Sequence, residues 1–217
     1  MCASMVRPGA ALADIGTDHA YLPIWLAKQS RISRAIAADV RVGPLQKAQS
    51  NISRYHVQDT VSARLSDGLN AIFPTEADDI VIAGMGGEMI IKIIEEALWL
   101  KHEQKHLILQ PMTSVEQLRV FLAGQGFKVL EERAVEEDAR VYTVILAKYS
   151  EEKMVINELY PHIGKLDAAT EANRAYIRRR ITNLEKRAHG LALSEKPEEA
   201  SRLAGVLRKL KAMLGED

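Results

Sequence analysis

The chain has 217 residues, 47% hydrophobic and 27% charged, with 29 basic residues balancing 29 acidic ones. These proportions exclude a mainly disordered chain and suit one domain of ordinary size with a smaller appendage. The only cysteine is Cys2, which excludes a disulfide framework and a four-cysteine zinc site. No apolar run approaches the roughly 20 residues of a membrane span, and the N-terminus has no signal-peptide pattern. The expectation is a cytoplasmic protein that binds neither membrane nor metal.

In chain order, Ala10–Ile15 is a short apolar run that ends in a glycine turn, and a helix is predicted over Tyr21–Gln29. Arg34–Val40 is apolar again and carries an acid near its end. Gly43–Tyr55 reads as a helix with Pro44 early in it, where proline is tolerated. Val61–Leu65 suits a third strand. Asp79–Ala83 is a core strand ahead of Gly84-Met85-Gly86-Gly87, and Met89–Leu98 is apolar at helical spacing. His106–Gln110 is a further buried strand, stopped by Pro111. Val115–Gly124 is helical, and Phe127–Leu130 and Tyr142–Ala147 are two late strands.

Strands alternating with helices imply crossover units and a mostly parallel sheet with both faces covered. The charged stretch Glu131–Val141 leaves no room for a crossover helix, so the last two strands are expected as an antiparallel pair at the sheet edge. Beyond about Glu151 the texture changes. Ile177, Ile181, Leu184, Ala188 and Leu191 recur at heptad spacing, as do Leu203, Leu207, Leu210 and Leu214. Ser194 and Pro197 punctuate the region between them. The expected organisation is a Rossmann-like domain over 1–150 and a small antiparallel helical coiled coil over 151–217. The first region has 16 basic and 18 acidic residues and the second 13 and 11, so the tail is the more cationic part.

Ligands of open parallel sheets bind beyond the carboxyl ends of the strands. Four candidate strand ends carry glycine or acid. At Asp14–Tyr21, Gly16 permits a tight turn, and the next helix start offers N–H groups to a carboxylate, with His19 and Tyr21 beside it. Asp39, with Val40 following, is placed to accept the ribose hydroxyls of an adenosine. Asp67-Gly68 is placed to meet the adenine. Gly84-Met85-Gly86-Gly87 leaves room for a substrate. Taken singly, each acid is as well explained by a turn or helix cap, and each glycine by a plain loop; the order of all four points to S-adenosylmethionine. A nicotinamide fingerprint would place glycine where Asp18 and Tyr21 stand. The Asp18 carboxylate also repels a pyrophosphate and suits a sulfonium. A nicotinamide oxidoreductase on the same fold and a non-catalytic RNA-binding or interaction module remain the alternatives.

The runs Ala-Asp-Ile-Gly-Thr-Asp-His-Ala-Tyr-Leu-Pro (13–23), Asp-Val-Arg-Val-Gly-Pro-Leu (39–45), Asp-Gly-Leu (67–69), Ile-Ala-Gly-Met-Gly-Gly (82–87) and Leu-Ile-Leu-Gln-Pro-Met (107–112) resemble the bacterial TrmK family. These are tRNA (adenine(22)-N(1))-methyltransferases that act on the D-arm. The resemblance covers residues 5–149 strongly and the tail in its helical character. It implies a class I methyltransferase sheet with an antiparallel last strand, a coiled-coil tail, S-adenosyl-L-methionine as cofactor and tRNA as partner. It also implies a further N-terminal helix ahead of the first residues here. Glu137-Asp138-Ala139-Arg140 departs from the Asp-Gly-Lys that the family favours.

The implied reaction is in-line displacement by adenine N1, whose in-plane lone pair needs no prior deprotonation. Asp18, Tyr21 and Met85 are the expected catalytic residues, with Asp18 steadying the ring as it becomes cationic. The cofactor set is Asp14, Gly16, Asp18, His19, Tyr21, Asp39, Val40, Asp67, Gly68, Gly84 and Met85. Gly86, Gly87, Gln110 and Pro111 are expected on the base side, and Arg179, Arg180 and Arg187 on the tRNA phosphates. A core histidine, a strand-ending proline and a solvated arginine face explain several of these equally well. A monomer is the default.

Overall fold

Every residue of the run Ala10–Ile15 is buried, because successive side chains of a strand point to opposite faces and both faces here are covered. The computed structural model describes residues 1–138, 140–193 and 197–216. In chain order the elements are α1 (Cys2–Met5), β1 (Ala10–Ile15), α2 (Tyr21–Lys28), β2 (Ile32–Asp39), α3 (Val42–Arg54) and β3 (Val61–Leu65). There follow β4 (Asp79–Gly86), α4 (Gly87–Glu96), β5 (His106–Thr113), α5 (Val115–Gly124), β6 (Phe127–Glu137) and β7 (Arg140–Tyr149). The chain closes with α6 (Tyr160–Ile163), α7 (Glu171–Leu193) and α8 (Pro197–Leu214).

The seven strands form one sheet in the order β3-β2-β1-β4-β5-β7-β6. β1 pairs in parallel with both β2 and β4, and β4 pairs in parallel with β5. β7 runs antiparallel to β5. The alternation along each strand splits the core in two. Ala13, Ile15, Ile80, Ile82, Leu107 and Leu109 pack under α4 and α5 with Ile90, Ile93, Leu118 and Leu122. Leu12, Val81 and Ile108 pack on the other face under α2 and α3, with Ile24, Leu26, Ala48 and Ile52.

Two sequence expectations change. β5 continues through Pro111 to Thr113, with Pro111 opposite Met85 at an irregularity in the β4–β5 pairing. A bulge tolerates a proline because no ladder hydrogen bond is lost there. The charged stretch Glu131–Val141 is not a connection but the far half of a long hairpin. β6 ends at Glu137 and β7 begins at Arg140, with Asp138 in the left-handed region at φ 48°. Aspartate is among the residues that tolerate such a backbone.

The chain divides into two compact units, Met1–Glu131 with Val144–Met154, and Glu132–Thr143 with Val155–Asp217, where the sequence suggested one cut near residue 150. In the second unit Glu132 is buried, and its carboxylate accepts the Thr143 hydroxyl at 2.8 Å and the Lys165 N–H at 3.0 Å. Ile177, Ile181 and Leu184 of α7 pack on Leu203, Val206, Leu210 and Leu214 of α8, and Ala188, Leu191 and Leu207 flank them. The pairs Arg178–Glu216 and Glu185–Lys211 show that the two helices run antiparallel, because one partner rises in number as the other falls. Ser194 lies outside the described residues.

The lower end of the first unit is tied by charge. Asp79 opens β4 fully buried, and accepts the Arg7 backbone N–H and the Arg7 Nε, each at 2.7 Å. A buried carboxylate stripped of its partner is strongly destabilising. Arg7→Met is expected to cost roughly 2–4 kcal/mol, somewhat under the full buried-pair value because the arginine is itself partly exposed. Urea unfolding reads this directly, and a loss below about 1 kcal/mol would match an ordinary surface pair instead.

Candidate active site

Parallel pairing places the carboxyl ends of β1 to β5 along one edge of the sheet. β1 has β2 on one side and β4 on the other, so the chain's direction of travel across the sheet reverses there. A crevice forms at such a reversal because the connections on its two sides leave in opposite directions. The stretches Asp14–Tyr21, Asp39-Val40, Asp67-Gly68, Gly84-Met85 and Gln110-Pro111 all lie on that edge.

At the end of β1 the chain turns through Gly16, whose φ is +75°. Both the Gly16 and Thr17 N–H groups donate to the Ala38 carbonyl of β2, at 2.8 and 2.9 Å. A Cβ at Gly16 would collide with the Met85 methyl, so the end of β4 rests directly on this turn. Thr17 is buried and accepts the Ala20 N–H, which stabilises the start of α2. The loop is held from α3 as well, where the Asn51 side-chain amide donates to the His19 carbonyl at 3.0 Å. Asp14 is buried, and burial pushes its carboxyl up to about 6 against the opposing effect of a hydrogen bond from Thr17.

The neighbouring side chains are open. The His19 and Tyr21 rings stack, 5.1 Å between centroids and 16° from parallel, and Tyr21 is 62% exposed. Asp18 faces solvent and lies 3.3 Å from the His19 Nε2. Asp39 at the end of β2 contrasts with it, being 4% exposed. Its Oδ1 accepts the Arg41 N–H at 2.8 Å, and no described residue occupies Oδ2. Val40 beside it is exposed. Asp67 is exposed at the end of β3, in a loop shaped by the buried Ser66, whose hydroxyl donates to the Gly68 carbonyl and accepts the Ala71 N–H.

The glycines at the end of β4 divide by role. Gly84, at φ +77°, has open space where a Cβ would sit, and its N–H donates to Gln110 Oε1 at 2.8 Å. Gly87 starts α4, and a Cβ there would run into the Ser114 carbonyl. Its missing side chain therefore serves close packing rather than room for a ligand, and Gly86 lies against the Thr113 hydroxyl. Gln110 shapes the Gly84 turn, a role its place in a strand does not announce. Thr17 and Ser66 were missed as well, although a threonine shortly ahead of a helix, whose hydroxyl can bond a nearby backbone N–H, is a recognisable turn signal. Among the described residues no cluster of His, Cys, Asp and Glu could hold a metal ion.

The three arginines lie on α7 of the second unit. Arg179 and Arg187 are exposed. Arg180 is partly buried and approaches His162 Nδ1 at 3.3 Å, so its guanidinium is turned inward.

The raised Asp14 carboxyl has a consequence for stability. Between its ordinary value of 3.8 and about 6, the folded chain binds more protons at this site than the unfolded chain does. Stability from this group is therefore fully present below about pH 4 and lost as pH rises through 6. Asp14→Asn is expected to gain roughly 2 kcal/mol on the parent between pH 4 and pH 7. Urea midpoints at both pH values measure this, and a difference that does not vary with pH would contradict it.

Known proteins share this architecture. A family model described as a methyltransferase domain matches residues 1–145. The tRNA (adenine(22)-N(1))-methyltransferase of Bacillus subtilis (strain 168) is 30% identical over 214 residues, covering 97% of this chain and 89% of that protein. The crystal structure of the B. subtilis m1A22 tRNA methyltransferase TrmK matches with a TM-score of 0.85 at 26% identity, over 98% of this chain and 95% of that one. M. capricolum TrmK, solved with S-adenosyl-homocysteine, matches with a TM-score of 0.82 at 25% identity, over 98% and 96%. By sequence and by fold along nearly its whole length, the chain belongs to the tRNA (adenine(22)-N(1))-methyltransferase family.

Proposed function

We propose that this protein methylates N1 of an adenine in the D-arm of tRNA, at the position corresponding to 22, with S-adenosyl-L-methionine as methyl donor. The observation that carries the reading is the nearly buried Asp39 carboxylate with one oxygen held and the other open, beside the Gly16 turn on the reversal edge of the sheet.

The residues present fit the cofactor. Arg41 fixes the Asp39 carboxylate, so Oδ2 is set to accept a ribose hydroxyl without reorganising. The first N–H groups of α2 meet a carboxylate at the positive end of the helix. Asp67 is placed to accept from the adenine amino group. The cofactor supplies an electrophilic methyl carbon on a positively charged sulfur. The N1 lone pair forms the new bond to that carbon as the carbon–sulfur bond breaks, and the bonding pair leaves with the sulfur. No proton moves, so the protein's work is positioning. Tyr21 and Met85 border the place where the base must arrive, and Gln110 holds the Gly84 turn open beside it. Asp18 sits where the ring gains positive charge, but its exposure screens the effect.

Adenine N1 lies on the Watson–Crick edge, so the target base must be unpaired when it reacts. Affinity then falls to phosphate contacts, for which the exposed Arg179 and Arg187 on α7 are suited. Arg180 contributes by holding α7 near His162. The protein acts as a monomer in the cytoplasm: the apolar seam of α7 and α8 is consumed within the pair, and a lone cysteine suits a reducing compartment. No described helix is long and apolar enough to cross a membrane.

Methyl transfer to unmodified tRNA, followed by nucleoside analysis, tests the reading. The expected product is N1-methyladenosine, and transfer that yields another methylated nucleoside instead would overturn it. Asp39→Asn removes a charge-assisted acceptor and should weaken cofactor binding roughly 10- to 100-fold by calorimetry. Replacing Arg179 and Arg187 together with glutamine should lower the salt dependence of tRNA binding, by up to about 0.9 in logarithmic slope for each phosphate that is no longer neutralised.

A further inference from the structure

The two faces of the sheet differ in charge. The helices α2 and α3 carry Lys28, Lys47 and Arg54 and no acidic residue at all. On the opposite face, α4 and α5 carry Glu88, Glu95, Glu96 and Glu116 against Lys92 and the fully buried Arg119. In a chain with no net charge, this concentrates positive potential on one side of the first unit.

The same side exposes aromatic rings where a helix ordinarily puts polar residues. α2 buries Pro23, Ile24 and Leu26 against the sheet. Its outer face presents Tyr21, Trp25 and Lys28, which follow at steps of four and three and so form one stripe. Tyr21 is 62% exposed and Trp25 is 49% exposed. Where α2 ends the stripe continues, with the Lys28 Nζ 5.4 Å and the Arg54 guanidinium 5.8 Å from the centre of the Tyr55 ring. No described carboxylate pairs with Lys28 or Arg54, so both charges stay available. The stripe begins at the stacked His19 and Tyr21 rings beside the candidate active site. It runs about 10 Å along the helix from Tyr21 to Lys28. That is the rise of three stacked nucleotides at roughly 3.4 Å each.

Aromatic rings interleaved with unpaired cations are the chemistry that holds single-stranded nucleic acid: bases stack on the rings and phosphates meet the cations. We propose that Trp25, Lys28, Arg54 and Tyr55 form a docking track for the unpaired RNA nucleotides that flank the target adenine, with Tyr21 at its active-site end. This rests on the reading of the protein as a tRNA methyltransferase, and it adds an RNA contact on the catalytic unit itself.

Steady-state kinetics on tRNA tests the track. Trp25→Ala is expected to raise KM for tRNA roughly 5- to 100-fold, the loss of about one stacked base. Trp25→Phe should restore most of it, and the affinity for S-adenosylmethionine and the melting temperature should stay at parent values. Lys28→Gln with Arg54→Gln should lower the logarithmic salt slope by about 1.4, at roughly 0.7 per phosphate of a single strand. A KM for Trp25→Ala within twofold of the parent would overturn the proposal. So would equal losses in cofactor affinity, which indicate a structural role, or self-association of the parent that Trp25→Ala abolishes, which indicates a contact between copies. A second measurement separates this from failure of the functional reading. The intrinsic fluorescence of the parent should be quenched by a single-stranded oligoadenylate, and Trp25→Phe should remove that quenching whether or not tRNA is methylated. Quenching that is absent, or unchanged in Trp25→Phe, would overturn the track independently.

Discussion

The pairing of β1 with β2 on one side and β4 on the other is the constraint from which the site follows. Parallel strands leave their carboxyl ends at the same edge, and the register is strict because both faces are buried. A one-residue slip of β1 would exchange Leu12 and Ala13 between the two cores. The same register sets Asp14 opposite Ala37 and Val81, so the turn at Gly16 emerges between the ends of β2 and β4. Each candidate residue in the crevice inherits its place from this alignment, which is why chemistry spread over nearly a hundred residues of sequence collects at one edge.

The loops above the edge are then fixed by short polar ties rather than by bulk. Gly16 and Thr17 hang from the Ala38 carbonyl, Gly84 from Gln110, Asp39 from Arg41, and the Asp67 loop from Ser66. A reaction that moves no proton gains most from such prior arrangement, because the barrier it faces is one of alignment and charge. Asp14 shows what the arrangement costs. Its carboxyl sits beneath the turn without an ion-pair partner among the described residues, and desolvation raises it to about 6. Departures of this kind collect where a site, rather than stability, decides the residue.

The second unit follows a simpler logic. α7 and α8 bury one apolar seam between them and leave charged flanks, some of which are used in pairing: Arg178 meets Glu171 and Glu216, and Lys211 meets Glu185. Arg179 and Arg187 are among the charges left exposed on that flank. In the first unit the helices on one sheet face are without acid and those on the other are rich in it. The protein thus has no net charge and still presents cationic ground.

The order of strands and helices was legible because short apolar runs bounded by turn residues, such as Ala10–Ile15 and Asp79–Ala83, alternate with longer stretches at helical spacing, such as Val115–Gly124. The glycines and acids at the strand ends were legible for a related reason: a parallel sheet must turn there, and only certain residues turn. The late strand pair at the sheet edge was legible, but its extension through Glu131–Val141 was not, because the charges there disguise strand as connection. The continuation of β5 through Pro111 was hidden likewise, since only the bulge opposite Met85 makes a proline tolerable. Composition and spacing also gave no reason to set Trp25 apart from core residues, nor to turn Arg180 toward His162 and away from solvent. Local pattern therefore determined which segments fold and where the chain must turn. The tertiary structure alone decided which side chains stand open and which are held, because burial and hydrogen bonding depend on neighbours that the linear order does not name.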